Sequence, residues 1–379
     1  MQVGVPSYLQ AANNSTFGII PGTATGTIAA VMPGGIPGGD ASIVDAWNCP
    51  IIDTNLMELR HGGGGHGDYG GNEIYACPLS GPTNAFRRLM NPTVPTGTTD
   101  AAVNGTNATS SGAMATFHTY GNVEFFDGRT WFMGGSSSQS SGNPTSAIWS
   151  WAEADLANGR NGYTYHGKGA PGWVDGGFYN PNVFDAWCAV DTARREIWEI
   201  PQAATGTAAH PGAWKIHADT KAITTYTFAS PYGHFPGWVV HIPALDILLC
   251  CGDPTYSLSP GLWYLPLENP SGGWVQITNV TGTLQGRLAD SAVFHAGAGA
   301  NGKVYVWRGG NTVYPLTIPA SRTGTFAFGA GVSIAGTAPT TYAARWYKKM
   351  RLVEKWSMLV ILQAYNAGLA YVKIPSGGF

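Results

Sequence analysis

The stretch Asn122–Met133, NVEFFDGRTWFM, joins two runs of apolar and aromatic residues through the dipeptide Asp127-Gly128. Asp-Gly between two such runs is a strong signal for a β-hairpin, because glycine accepts the positive φ angle that a tight turn requires. The stretch therefore predicts two short antiparallel strands joined by a two-residue turn.

Comparable hairpins recur six times along the 379 residues. Their strands and turns are 46–52 with 56–59, 122–126 with 130–133, 183–190 with 196–200, 237–242 with 247–251, the turn Asn301-Gly302 before 303–307, and 349–353 with 357–363. The turn centres lie roughly 50 to 75 residues apart, a spacing that indicates a repeat architecture of β-rich units.

Each hairpin is followed by a Gly- or Ser-rich loop and a third strand with a central aromatic or similar apolar residue. The third strands are 73–77, 147–151, 212–216, 261–265, 312–316 and 368–372, and fourth strands follow at 85–89, 162–165, 224–228, 273–277 and 324–328. The sixth unit has no fourth strand of its own. An open three-stranded edge invites pairing with another strand, so we expect the N-terminal segment 15–20 to complete that unit.

These units predict an all-β fold, a six-bladed β-propeller of four-stranded antiparallel blades closed by the N-terminal strand. We expect one domain over residues 1–379. Its blades are approximately 43–95, 117–167, 182–230, 234–280, 288–330, and 343–379 completed by 15–20.

Composition narrows the function classes. Only 11% of residues are charged, the net charge is -2, and the pI is near 6.5, so the chain lacks the basic surface that nucleic acid requires. No apolar run reaches the ~18 residues of a spanning helix, and the N-terminus lacks the pattern of a secretory signal. We expect neither membrane insertion nor secretion, and five buried free thiols.

The pattern resembles the kelch and galactose-oxidase-type propellers, whose units carry a Gly-Gly pair after the second strand. Gly134-Gly135 and Gly309-Gly310 match that motif, and Gly252-Asp253 matches it in part. The run Arg60–Glu73 is similar to uncharacterised propeller proteins of bacteria and bacteriophages. The resemblance implies the fold, says little about activity, and implies a virion location if the protein is phage-encoded, otherwise a cytoplasmic one.

In a propeller, the starts of the first strands and the loops between strands two and three open on one face around the central channel. We therefore expect a ligand site there. The candidate ligand-binding residues are His61, His66, Asp68, His118, Tyr120, His234, Trp238, Asp253, His295, Arg308, Arg345 and Trp346. No catalytic residue is assigned.

The histidine-rich loop has three interpretations. His61, His66 and Asp68 are side chains that bind divalent metal ions, although their spacing matches no established metal signature. The same loop could contact a glycan or peptide, or could simply turn the chain through its glycines. The sequence assigns no cofactor, and a divalent metal ion is the candidate.

Abundant Trp and Tyr with few charges suit sugar rings, although such residues also pack between blades. The sequence favours a non-enzymatic module, a bacteriophage tail or decoration propeller whose partner is a cell-surface polysaccharide or another virion protein. The alternative is a carbohydrate-active enzyme, a glycoside hydrolase or lyase. Its carboxylates would come from Asp45, Asp185, Asp253 and Asp290.

Overall fold

A computed structural model shows six antiparallel sheets of four principal strands arranged in a ring, which confirms the predicted six-bladed β-propeller. The structure describes residues 4–36, 39–45, 47–64, 69–82, 84–93, 112–137, 144–169, 187–201, 211–228, 235–253, 261–285, 290–340 and 347–379. The first strand of each blade contacts the first strand of the next, and blade 6 contacts blade 1. We call these six strands the inner strands.

Each blade has four principal strands, which follow one another from the inner edge of the ring outward. Blade 1 has Ile51–Asp53, Glu58–Gly62, Ile74–Pro78 and Arg87–Arg88; blade 2 has Val123–Phe126, Arg129–Phe132, Ala147–Trp151 and Tyr163–Lys168; blade 3 has Trp187–Asp191, Glu196–Ile200, Pro211–His217 and Ile223–Thr227. Blade 4 has Phe235–Ile242, Ile247–Asp253, Gly261–Pro266 and Val275–Gln276; blade 5 has Ser291–His295, Lys303–Trp307, Thr312–Thr317 and Phe326–Phe328; blade 6 has Met350–Val353, Met358–Ile361, Ala370–Lys373 and Phe17–Ile19.

A few short elements lie outside this plan. Strands Val280–Thr281 and Val332–Ser333 extend blade 5, and Phe117–His118, Gly135–Ser137 and Pro144–Thr145 form a separate sheet. The helices are Ser7–Gln10 and Ser42–Asp45, with 3₁₀ turns at Glu153–Asp155, Pro243–Leu245, Pro270–Gly272 and Glu354–Trp356. Among the described residues, no helix has the length and apolar character needed to cross a membrane.

Both ends of the chain share blade 6, as the sequence predicts. Strand Phe17–Ile19 pairs antiparallel with Ala370–Lys373, with Phe17 opposite Val372 and Ile19 opposite Ala370. This pairing covers the edge that the third strand of blade 6 would otherwise expose. The ring is therefore closed by hydrogen bonds between the first and last strands of the chain.

One backbone feature repeats in all six inner hairpins: the residue just before the second strand has a left-handed conformation. These residues are Met57 (φ 55°), Gly128 (75°), Arg195 (57°), Asp246 (53°), Gly302 (81°) and Ser357 (46°). A left-handed residue turns the chain back toward its antiparallel partner. Only two of the six are glycines, which is why the Asp-Gly and Asn-Gly signals were visible in two blades and the other turns were less regular in sequence.

The inner hairpins define two faces. At the turn face, ion pairs join the turns of adjacent blades, such as Arg194 with Asp246 at 2.5 Å and Arg195 with Asp127 at 2.8 Å. The opposite face, where the inner strands begin, is the channel mouth. Residues that belong to the start of an inner strand therefore face the channel mouth, and residues at its end face the turn face.

Tryptophans fill the space between blades. Twelve of the fourteen lie in the described ranges, and eleven of these are buried, which leaves Trp47 as the one partly exposed tryptophan of that set. The five cysteines are all buried and free. Most of the described tryptophans therefore serve blade packing. Trp47, at the channel mouth, differs because it is partly exposed.

Candidate functional site

Three non-glycine residues at the channel mouth have left-handed backbones shortly before an inner strand. Trp47 (φ 51°), Tyr120 (φ 46°) and Lys348 (φ 41°) stand before the strands that begin at Ile51, Val123 and Met350, respectively. A bulky residue in this region is strained by about 1 to 3 kcal/mol, and such outliers concentrate at functional sites. Together with the aromatic and charged side chains around them, these residues make this face the candidate site.

Aromatic rings line this part of the mouth. The Trp47 and His118 rings lie 4.9 Å apart, and the His118 and Tyr120 rings lie 5.6 Å apart. Tyr347 continues the series, at 5.5 Å from the Tyr120 ring and 6.3 Å from the ring of Trp187. The rings come from blades 1, 2, 3 and 6, so they form one aromatic rim around the channel mouth.

An ionic cluster lies at the centre of the ring. The Glu124 carboxylate accepts from Lys348 Nζ at 2.7 Å and from the Arg351 guanidinium at 3.1 Å. Arg351 also donates to the carbonyls of Pro50 at 2.6 Å and Val123 at 2.9 Å. Burial raises the pKa of Glu124, but Arg351 and Lys348 outweigh it and lower that pKa below its usual range. Glu124 is therefore held ionised.

A second glutamate, Glu199 in blade 3, has its pKa shifted in the opposite direction. Burial raises the pKa of Glu199 well above its usual range, and the indole of Trp214 and the charge of Lys348 offset this only in part. Neither carboxyl oxygen of Glu199 completes a hydrogen bond within the described structure. Glu199 stands opposite Cys188 in the strand pairing, and Lys348 donates to the Cys188 carbonyl. Lys348 thus ion-pairs with Glu124 and also bonds Cys188, the residue that stands opposite Glu199.

Of the predicted ligand-binding residues, His61, His118, Tyr120 and Arg308 lie toward the channel mouth. His118 and Tyr120 belong to the aromatic rim. Arg308 pairs with the buried Asp290 at 3.3 Å and donates to Gln285 at 2.9 Å. His61 is buried and its Nε2 bonds the Ile43 carbonyl at 2.6 Å. The sequence therefore located part of this face by residue type and position.

Two other predicted residues lie elsewhere than expected. Trp238 is fully buried and its indole N–H donates to the Gln285 carbonyl at 3.0 Å, so it packs inside the ring instead of facing a ligand. His295 is the last residue of its inner strand and lies at the turn face, 3.6 Å from Glu354. The five-residue strand carries His295 more than 10 Å from the channel mouth, at roughly 3.3 Å per residue.

The other predicted residues fall in stretches that the structure does not describe. His66, Asp68, His234, Arg345 and Trp346, and the side chain of Asp253, lie outside the described residues. In the described ranges, no group of three or more His, Cys, Asp or Glu residues is arranged to hold a metal ion. The hypothesis of a metal bound by His61, His66 and Asp68 needs two of these undescribed residues and stays a prediction.

The sequence interpretation did not select Glu124, Glu199, Lys348 or Arg351. A signal for them exists in the sequence: each is a charged residue within or beside an apolar strand of a chain in which 11% of residues are charged. Buried charges are rare unless they are paired or functional. Their mutual contacts join blades 2, 3 and 6 and have no counterpart in local sequence spacing.

Comparisons with known proteins concern the fold. No family model matches the chain, and no curated protein matches it. An α-L-arabinanase from Penicillium chrysogenum with arabinobiose covers 95% of this chain and 98% of its own, at 13% identity and a TM-score of 0.49. An α-L-arabinofuranosidase from Fusarium graminearum with an iminosugar inhibitor covers 94% and 96%, at 11% identity and a TM-score of 0.50. The structure of YjhT covers 72% of this chain and 74% of its own, at 11% identity and a TM-score of 0.43.

These comparisons correct the functional expectation. The predicted non-enzymatic virion module is wrong: the propeller that matches nearly the whole chain is that of an α-L-arabinofuranosidase, and at 11% identity this match shows the fold. The propeller fold itself is confirmed. The finer resemblance to kelch and bacteriophage propellers finds no support, since no family model matches.

Proposed function

We propose that this protein is a carbohydrate-active enzyme, a glycoside hydrolase that cleaves its substrate at the channel mouth. One observation carries the proposal: Lys348 ion-pairs with Glu124, whose pKa is lowered, and bonds the Cys188 carbonyl opposite Glu199, whose pKa burial raises. Glycoside hydrolases need two carboxyl groups of this kind, one to donate a proton and one to act as nucleophile or base.

The environment of each glutamate fits one role. Arg351 and Lys348 keep Glu124 negative, and its side chain is 19% exposed, so it can stabilise positive charge that develops on a sugar ring. Glu199 keeps its proton because it is buried, and it has carboxyl oxygens without a completed hydrogen bond within the described structure. In this proposal Glu199 protonates the leaving oxygen, and Glu124 acts as nucleophile or base.

The substrate class proposed is a neutral polysaccharide. The partly exposed ring of Trp47 offers a face to a sugar ring, and the buried rings of His118, Tyr120 and Tyr347 pack behind it. The arabinofuranosidase that resembles this chain was solved with an iminosugar inhibitor, which supports glycoside chemistry on a similar propeller. An arabinose-containing polymer is therefore the first substrate to test.

The test measures release of reducing ends from arabinan, other neutral polysaccharides and nitrophenyl glycosides. We expect turnover by the parent protein, and a rate loss of roughly 10²-fold or more for Glu124→Gln and for Glu199→Gln. Glu354→Gln, which changes an exposed glutamate at the turn face, is the matched control and should keep the parent rate. Circular dichroism checks that the variants fold. Sugar binding without turnover, or full activity in both variants, would overturn the proposal.

A further inference from the structure

A groove of about 690 Å³ lies on the turn face, far from the channel mouth. It is bordered by the N-terminal helix and by the ends of blades 5 and 6. Its lining residues are Val5, Leu9, Gln10, His295, Gly297, Lys355, Trp356, Ser357, Lys373, Ile374, Pro375, Ser376 and Gly377. This volume is in the range of sites that bind a small molecule.

The lining of the groove is cationic. Lys355 and Lys373 both border it, and none of the lining residues that the structure describes is a carboxylate. The neighbouring Glu354 accepts from the Gly297 backbone N–H at 3.1 Å and lies 3.6 Å from His295 Nε2, so it is engaged at one edge. The groove therefore favours an anionic group between the two lysines.

Two buried nitrogen atoms in the lining add a second observation. His295 Nδ1 and Trp356 Nε1 complete no hydrogen bond within the described structure, and these residues are 4% and 5% exposed. Buried polar atoms without a partner indicate a missing water, ion or ligand group. The indole can only donate. With Nε2 directed to Glu354 and Ser357, Nδ1 is free to accept from a hydroxyl.

The neighbouring backbone is held in a strained conformation. Ser357 has a φ of 46°, a left-handed value that serine adopts rarely, and its Oγ lies 3.5 Å from His295 Nε2. The turn Glu354–Trp356 that precedes it places Lys355 and Trp356 together at the groove. The same left-handed position recurs in all six inner hairpins, and in blade 6 it follows the turn that carries Lys355 and Trp356.

We propose that this groove is a second binding site, for a sugar-sized ligand that carries an oxyanion. Lys355 and Lys373 bind the oxyanion, Trp356 donates to a ligand oxygen and His295 accepts from a ligand hydroxyl. A carboxylate of a sugar acid and the phosphate of a sugar phosphate share this chemistry. The proposal is independent of catalysis at the channel mouth, since it requires no residue of that site.

The test is calorimetric titration of the whole protein with galacturonate, glucose 6-phosphate and galactose. We expect one or both acidic sugars to bind roughly tenfold or more tightly than neutral galactose, with an affinity that falls as salt is added. The tighter of the two identifies carboxylate or phosphate as the preferred group. Equal affinity for all three sugars, or no binding of either acidic sugar, overturns the proposal.

Variants assign that binding to the groove. The double change Lys355→Gln with Lys373→Gln should weaken the acidic sugar at least tenfold, and Trp356→Phe, which keeps a ring and loses the N–H, should weaken it several-fold. Arg160→Gln removes an exposed cation in blade 2 and is the matched control, with parent affinity expected. Thermal melting confirms folding of each variant. Unchanged binding in the lysine variant would place the anion elsewhere and reject the site.

Discussion

Lys348, at the start of blade 6, places its ammonium 2.7 Å from the Glu124 carboxylate of blade 2. Both side chains are largely buried, at 3% and 19% exposure. The contact reaches across the centre of the ring, because blade 1 separates blade 6 from blade 2. Together with Arg351, this pair fastens the last blade of the chain to an early one at the centre of the propeller.

Breaking this pair should destabilise the protein. Lys348→Met leaves Glu124 with Arg351 alone, and Glu124→Gln leaves two buried cations without their counter-charge. We expect each change to lower the free energy of unfolding by about 3 kcal/mol. Urea denaturation of both variants and of the double variant measures this. The double variant should lose less free energy of unfolding than the two single variants lose together. Strict additivity of the two losses would show that the two groups do not interact.

Closure of the ring depends on close backbone approach at Gly336. This residue has a φ of 86°, and a Cβ there would lie 2.8 Å from the Phe17 carbonyl oxygen of the closing strand. Gly336→Ala should therefore lower the free energy of unfolding by about 2 to 4 kcal/mol, from backbone strain plus overlap.

Gly377→Ala is the matched control for that change, because Gly377 has the same φ of 86° and a Cβ there meets no atom within 4 Å. Gly377→Ala should lower the free energy of unfolding by the backbone strain alone, about 1 kcal/mol. Thermal melting compares the two variants. Equal melting temperatures would mean that the contact between Gly336 and Phe17 does not limit closure.

Stability should fall in mild acid because of buried histidines. Burial lowers the pKa of His61 from 6.5 to about 4, the Ile43 carbonyl opposes this shift, and Lys349 adds to it. Between pH 6.5 and 4 the unfolded chain binds a proton that the folded chain does not, so falling pH favours unfolding. The effect is on the order of 3 kcal/mol at pH 4.

Urea denaturation at pH 7.5, 6 and 5 compares the parent protein with His61→Gln, which keeps an N–H for the Ile43 carbonyl. The variant should lose part of the acid dependence. Other contributions come from His166, whose pKa is also lowered to about 4 by burial and by Lys221 and Arg129, and from His241, whose pKa burial lowers. His217→Gln, at the partly exposed end of the strand Pro211–His217, is the control. An identical pH profile for His61→Gln and the parent would contradict the role of His61.

Trp47 should contribute to substrate binding at the channel mouth. It is the one described tryptophan that is not buried, and its ring lies 4.9 Å from that of His118 at the rim, at a tilt of 48°. If the proposed hydrolase activity is found, Trp47→Ala should raise KM roughly tenfold with a smaller change in kcat, whereas Trp47→Phe should keep most of the affinity. Steady-state kinetics on the preferred oligosaccharide decides this. A lower kcat with unchanged KM would assign Trp47 to the chemical step instead.

Much of the fold could be predicted because its determinants are local. The Asp127-Gly128 turn, alternation of apolar residues along 122–133, and the missing fourth strand of the last unit each act within a few residues of sequence. They predict six blades and closure by the N-terminal strand. Even so, four of the six hairpin turns use non-glycine left-handed residues, such as Arg195 and Ser357, which carry no strong turn signal.

The candidate site was predicted only in part, because position along a strand decides the face. His118 and Tyr120 precede an inner strand and reach the channel mouth, whereas His295 ends one and reaches the turn face. His118 and His295 carry the same imidazole. The direction of the strand, and not the chemistry of that ring, separates the candidate catalytic face from the anion-binding groove.

The sequence by itself therefore determined the architecture, since hairpin turns and alternating strands are specified by neighbouring residues. Tertiary structure alone decided the charges at the centre. Glu124, Glu199 and Lys348 are distant in the chain, and their protonation depends on burial and on the counter-charge that ring closure supplies. A carboxyl group is ionised or neutral according to the dielectric and charges around it, and those are set only when the blades assemble.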